Sequence, residues 1–119
     1  MLALNKNGTI TENTTTEWLN LFSGHVGATN GTIIVETTNT SAGDFDGTIE
    51  IQFSNDWDSS KGALSYNTAT IDAASKFFCY EISSPFRYVR FVFTLNTITE
   101  IDYQIYGNYN TEAILWVLK

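Results

Sequence analysis

In Gly47-Thr48-Ile49-Glu50-Ile51-Gln52-Phe53-Ser54, apolar and polar side chains alternate without a break. A period of two marks a strand with one face in a core and the other in water. Ile49, Ile51 and Phe53 are therefore expected inside, and Glu50 and Gln52 outside. No long segment shows the i, i+3, i+4, i+7 spacing of an amphipathic helix. β-Branched and aromatic residues gather instead in short runs bounded by Gly, Asn, Asp and Ser. These runs predict strands at Trp18 to Phe22, Thr32 to Thr37, Thr48 to Ser54, Ala69 to Ile71, Phe77 to Ile82, Tyr88 to Leu95, Ile101 to Tyr106 and Ile114 to Leu118. One helical turn is expected near Asp72 to Lys76. Ile33-Ile34-Val35 is apolar on both faces, as a central or inter-sheet strand would be. Cys79, between Phe78 and Tyr80, is expected as a small buried hydrophobe.

About eight short strands at this spacing predict an all-β fold, a single antiparallel β-sandwich or jelly roll. With 43% hydrophobic residues in 119, the chain has enough apolar material for one domain with its own core. We divide it into a polar N-terminal arm or edge strand over 1–16 and a β-sandwich domain over 17–119. The connections are expected over 38–47 and 55–62, and around Pro85, the chain's one proline.

Charge removes whole classes of partner. Six Lys and Arg against thirteen Asp and Glu give a net charge of -7. Nucleic-acid binding loses its main electrostatic contribution, and anionic membrane repels such a surface. No stretch approaches the ~18 apolar residues of a membrane span, and the start Met1-Leu2-Ala3-Leu4-Asn5-Lys6 turns polar too soon for a signal peptide. No cofactor is expected. His25 has no second imidazole or cysteine beside it to make a zinc site. The pairs Asp44/Asp46 and Asp56/Asp58 vaguely suggest a calcium loop, but the position needing a bidentate glutamate is Asn55. No metal site is assigned. The Asn-x-Ser/Thr matches at Asn7, Asn13, Asn30 and Asn39 are read as chance in an Asn- and Thr-rich chain. No acid–base or nucleophile motif is present, so no catalytic residue is assigned.

The candidate interaction residues are Trp18, Trp57, Arg87, Arg90, Leu115, Trp116 and Leu118. Trp and Arg are the side chains that dominate protein interfaces. Arg87 and Arg90 are three apart, so a regular strand splits them across its two faces, one of them pinned by a carboxylate such as Glu81. The tail Ala113-Ile114-Leu115-Trp116-Val117-Leu118 is apolar almost throughout, which requires cover on both faces or cover by a partner.

Three segments resemble the galactose-binding-like jelly roll of the discoidin type: residues 47–57, Pro85-Phe86-Arg87-Tyr88-Val89-Arg90-Phe91, and Ile101-Asp102-Tyr103-Gln104-Ile105-Tyr106-Gly107. The family's paired cysteines are missing, and its ligand loops have no counterpart. The order of Leu19 to Gly24, Gly31 to Glu36 and the Pro85 strand is also similar to small β-sandwich proteins among the structural genes of tailed phages. That resemblance implies a non-enzymatic virion structural protein, in the first place an auxiliary or decoration (cement) protein on a phage capsid. The partners implied are the major capsid protein or copies of the chain itself, and the location is the virion. Docking is expected at edge strands, the N-terminal arm and the apolar tail. The alternatives are a tail or fibre component, or a discoidin-type carbohydrate-binding module. The latter would hold a glycan at a loop end near Trp57, Asp44, Asp46 and Tyr66.

Overall fold

The computed structural model describes residues 2–20, 29–40, 45–54, 64–84 and 88–111. Among them lie nine strands and no helix: β1 (Leu2–Ile10), β2 (Thr14–Thr15), β3 (Leu19–Asn20), β4 (Thr29–Asn39), β5 (Gly47–Ser54), β6 (Leu64–Ile71), β7 (Ser75–Ser84), β8 (Tyr88–Leu95) and β9 (Ile101–Thr111). They form two antiparallel sheets packed as a sandwich. Sheet A runs β1-β9-β4-β7; sheet B runs β2-β8-β5-β6, with β3 continuing the β2 edge along β8. The expected strand over Ile114 to Leu118 lies outside the described residues.

Alternation decides what is buried. In β5 the core positions Ile49, Ile51 and Phe53 are sealed, and in β8 so are Val89, Phe91 and Phe93. Sheet A contributes Ile33, Val35, Tyr80, Ile82, Ile101, Tyr103 and Ile105. The rings of Phe93 and Tyr103 meet across the two sheets at 4.9 Å and 36°, a tilted contact that favours aromatic pairs. β4 sits between β9 and β7, with Ile33 and Val35 in the core and Ile34 half-buried on the outer face.

The chain changes sheet after β1, β3, β4, β6, β7 and β8, and only β5–β6 is a local hairpin. Pro85 therefore lies between strands of opposite sheets and cannot set a hairpin register. Two glycines mark close backbone approaches. A Cβ on Gly107 would collide with the Thr32 backbone of β4, and one on Gly47 would sit 2.8 Å from the Thr94 carbonyl.

Two expectations are corrected. Residues 72–76 form no helical turn: the chain bends at Ala73–Ala74, and β7 has begun by Ser75. The i, i+4 pair that suggested a helix is real, with Lys76 Nζ 2.8 Å from Asp72 Oδ1, but it spans a bend. Cys79 is exposed, because Phe78, Tyr80 and Ile82 hold the core-facing parity of β7 and turn Cys79 outward.

Each sheet edge carries a device against further pairing. The sheet A edge strands β1 and β7 place Lys6 and Lys76 on the core-facing parity, beside Gly8 and Ile10 and beside Phe78 and Tyr80. Their ammonium groups emerge to Glu17 (3.1 Å) and Asp72. A lysine so placed resists burial under an added strand. In sheet B, β6 is distorted by a register shift at Ile51/Gln52, and β2 and β3 have two residues each.

Candidate functional site

The outward positions of β8 and β5 cross at Arg90 and Gln52, which are directly opposite in the ladder. Arg90 donates from Nε to Gln52 Oε1 at 2.7 Å, and Gln52 donates from Nε2 to Glu50 Oε1, also at 2.7 Å. A half-buried cation is thereby linked through one amide to a carboxylate. The other contact of Arg90 is Trp18, whose ring centroid lies 4.3 Å from the guanidinium carbon. Such stacking contributes about 0.5–2 kcal/mol, more as water is excluded.

Trp18 reaches Arg90 because of how the β8 edge is built. The Thr16 amide donates to the Phe91 carbonyl (2.9 Å), and the Phe91 amide donates to the Thr16 hydroxyl (3.0 Å) rather than to a backbone carbonyl. β2 pairs Thr15 with Val92, whereas β3 pairs Leu19 with Val89, so one extra residue is taken up between them. That residue count brings the Trp18 side chain beside Arg90. The indole Nε1 is buried and has no hydrogen-bond partner. The face thus presents an Arg–aromatic pair.

The structure brings together Trp18 and Arg90 from the sequence candidates. Trp57, Arg87, Leu115, Trp116 and Leu118 lie outside the described residues. Arg90 is held by Gln52 and Trp18, not by Glu81, which belongs to β7 in the other sheet. Gln52 and Glu50 were expected simply to face water; they are half-buried parts of the Arg90 network. The signal for them was their outward parity in the strand flanking Arg90, which needs the β5–β8 pairing to become readable.

Elsewhere, Tyr106 donates its hydroxyl to Glu36 Oε1 at 3.1 Å on the outer face of sheet A. Partial desolvation, then the Glu36 carboxylate, push that phenol above its ordinary range. Lys76 holds the Asp72 carboxyl below its usual value, through a hydrogen bond first and charge second. Asp44, Asp56 and Asp58 lie outside the described residues, as does His25. Asp46 is exposed, and its backbone carbonyl accepts from Asn96 (3.0 Å) and Thr97 (3.1 Å). Among the described residues no three His, Cys, Asp or Glu side chains converge to hold a metal. Among the described residues no helix is long and apolar enough to cross a membrane.

No family model matches the sequence, and no curated protein matches it. Solved structures do match the fold. PirA is similar over 87% of this chain and 93% of its own, with 14% identity and a TM-score of 0.56. The PBSX exported protein XepA matches 92% of this chain at 13% identity and a TM-score of 0.59, the match spanning 37% of XepA. The SPBc2 prophage-derived protein YomS matches 92% of this chain and 96% of its own at 9% identity and a TM-score of 0.54. At these identities the likeness is one of β-sandwich fold.

Proposed function

We propose that the chain is a phage-associated, non-enzymatic structural protein, and more specifically an auxiliary or decoration protein that docks on a capsid. The observation that carries this reading is the Trp18–Arg90 pair on the outer face of sheet B, tied back to Gln52 and Glu50. Rigid aromatic and guanidinium groups lose little freedom on binding and recur at the centres of protein interfaces. The fold shared with a prophage-derived protein along nearly the whole length of both chains supports the phage setting.

Docking at sheet edges fits this chain poorly, since Lys6 and Lys76 guard both edges of sheet A. The face replaces the edges as the docking surface, and repetition over a symmetric shell multiplies a modest single contact. Within the sandwich class we retain the galactose-binding-like, discoidin-type jelly roll. Gly107, where the closing-strand resemblance ends, is also where β4 packs against β9 too tightly for a side chain.

The test adds purified chain to particles assembled without it, followed by co-sedimentation. The parent chain is expected to pellet with particles at saturable stoichiometry, and Trp18→Ala to pellet about tenfold less. Equal pelleting of a folded Trp18→Ala variant would remove this face as the docking surface.

A further inference from the structure

The outer face of sheet A has a composition of its own. Its outward side chains include Asn5, Asn7, Gln104, Asp102, Glu36 and Tyr106, and no lysine or arginine among the described residues. Between β4 and β9 lies an open depression of about 180 Å³, lined by Glu36, Thr38, Asp102, Tyr103 and Gln104. At ~30 Å³ per water that is room for about six waters. Two aromatic rings flank it. Tyr106 is fixed by its hydroxyl on Glu36, and Phe77, on the far side of β4, is 59% exposed.

We propose that this face binds a neutral oligosaccharide, with Tyr106 as a stacking platform and Glu36, Asp102 and Gln104 receiving or donating to its hydroxyls. The chemistry narrows the ligand. Glu36 and Asp102 repel an anion. A metal ion lacks a converging ligand set, because Asp102 already accepts from Thr9, Glu36 accepts from Tyr106, and among the described residues no third carboxylate, His or Cys joins them. An apolar ligand would strand the hydrogen-bonding groups that line the depression. What remains is a molecule dense in hydroxyls, uncharged, with apolar C–H faces for the rings. Tyr106 and Phe77 lie two strands apart and two residues out of register, about 12 Å at the ~4.8 Å strand spacing and ~3.4 Å rise per residue, which suits a short chain of sugars better than a single ring. The rigid sheet also limits the ordering cost on binding. This site is separate from the Trp18–Arg90 face, which belongs to sheet B.

The test titrates the full chain by amide NMR with neutral hexasaccharides of glucose, mannose, galactose, xylose and N-acetylglucosamine. A hexamer of glucuronic acid and an oligolysine complete the panel. At least one neutral hexasaccharide is expected to shift amides of β1, β4, β7 and β9 saturably, and the two charged probes to leave them unmoved. Tyr106→Ala is expected to weaken binding about tenfold. Tyr106→Phe, which keeps the ring and loses the Glu36 bond, should fall between. Thr70→Ala on sheet B should bind as the parent does. Absence of any saturable shift by a neutral sugar at millimolar concentration would overturn the proposal. So would a folded Tyr106→Ala variant that binds normally, or a face that responds only to oligolysine.

Discussion

Tyr80 is the sharpest residue-scale test of the packing. It is 5% exposed, and its hydroxyl has no hydrogen-bond partner. Tyr80→Phe removes an unsatisfied polar atom, so at pH 7 the variant is expected to equal or exceed the parent in stability, by up to about 1 kcal/mol. Burial also pushes the Tyr80 phenol above its ordinary value of 10.0. The folded state then holds that proton more tightly than the unfolded state. Stability should hold below pH 10 and fall as pH rises from there toward the folded pKa. Denaturant unfolding between pH 7 and 11 should show a shallower alkaline fall in Tyr80→Phe. Gly107 gives the opposite sign: Gly107→Ala forces β4 and β9 apart, a loss of about 1–3 kcal/mol or more by thermal or denaturant melting. Arg90 and Trp18 should show coupling of about 0.5–1 kcal/mol in a double-mutant cycle.

At the scale of elements, the β8 edge depends on one hydroxyl. Thr16→Val leaves the buried Phe91 N–H without its acceptor, an expected cost of about 1–3 kcal/mol, whereas Thr16→Ser retains it. The guarded edges make a second prediction. Lys76→Val leaves β7 with an uninterrupted apolar core-facing row beside exposed Phe77, and light scattering should report self-association that the parent lacks. Strands were legible in the sequence wherever alternation was clean: β8 runs from Tyr88 to Leu95 as expected, and β5 starts one residue earlier than expected. β1 was less legible. Asn5 to Thr9 is polar because its outward side faces water and its inward side holds Lys6 and Gly8, which leaves too little apolar periodicity to separate a strand from an arm. The outward parity of Cys79 was hidden for a related reason: Phe77-Phe78-Cys79-Tyr80 is apolar on both sides, and only the pairing with β4 decides which side is buried. Of the interaction face, Trp18 and Arg90 stood out by type. Their contact did not, since it depends on the extra residue between β2 and β3.

For the whole molecule, topology and charge set the behaviour. The first and last described strands pair from Leu2↔Tyr109 to Ile10↔Ile101, and almost every connection crosses between sheets. Such nonlocal pairing predicts folding in milliseconds to seconds rather than microseconds, measurable by stopped-flow tryptophan fluorescence. Guarded edges and a net charge of -7 both disfavour self-association at high local concentration, as the proposed role on a shell requires. The two outer faces have different proposed partners, a particle for the Arg–Trp contact of sheet B and a neutral sugar for the carboxylate-lined, aromatic-flanked depression of sheet A. The most direct measurement of the proposed capsid role is quantitative mass spectrometry of gradient-purified phage particles produced in cells that express the chain. A fixed molar ratio to the major capsid protein, reduced when Trp18 is replaced by Ala, is the expected result. Intact particles that contain none of the chain would contradict the account.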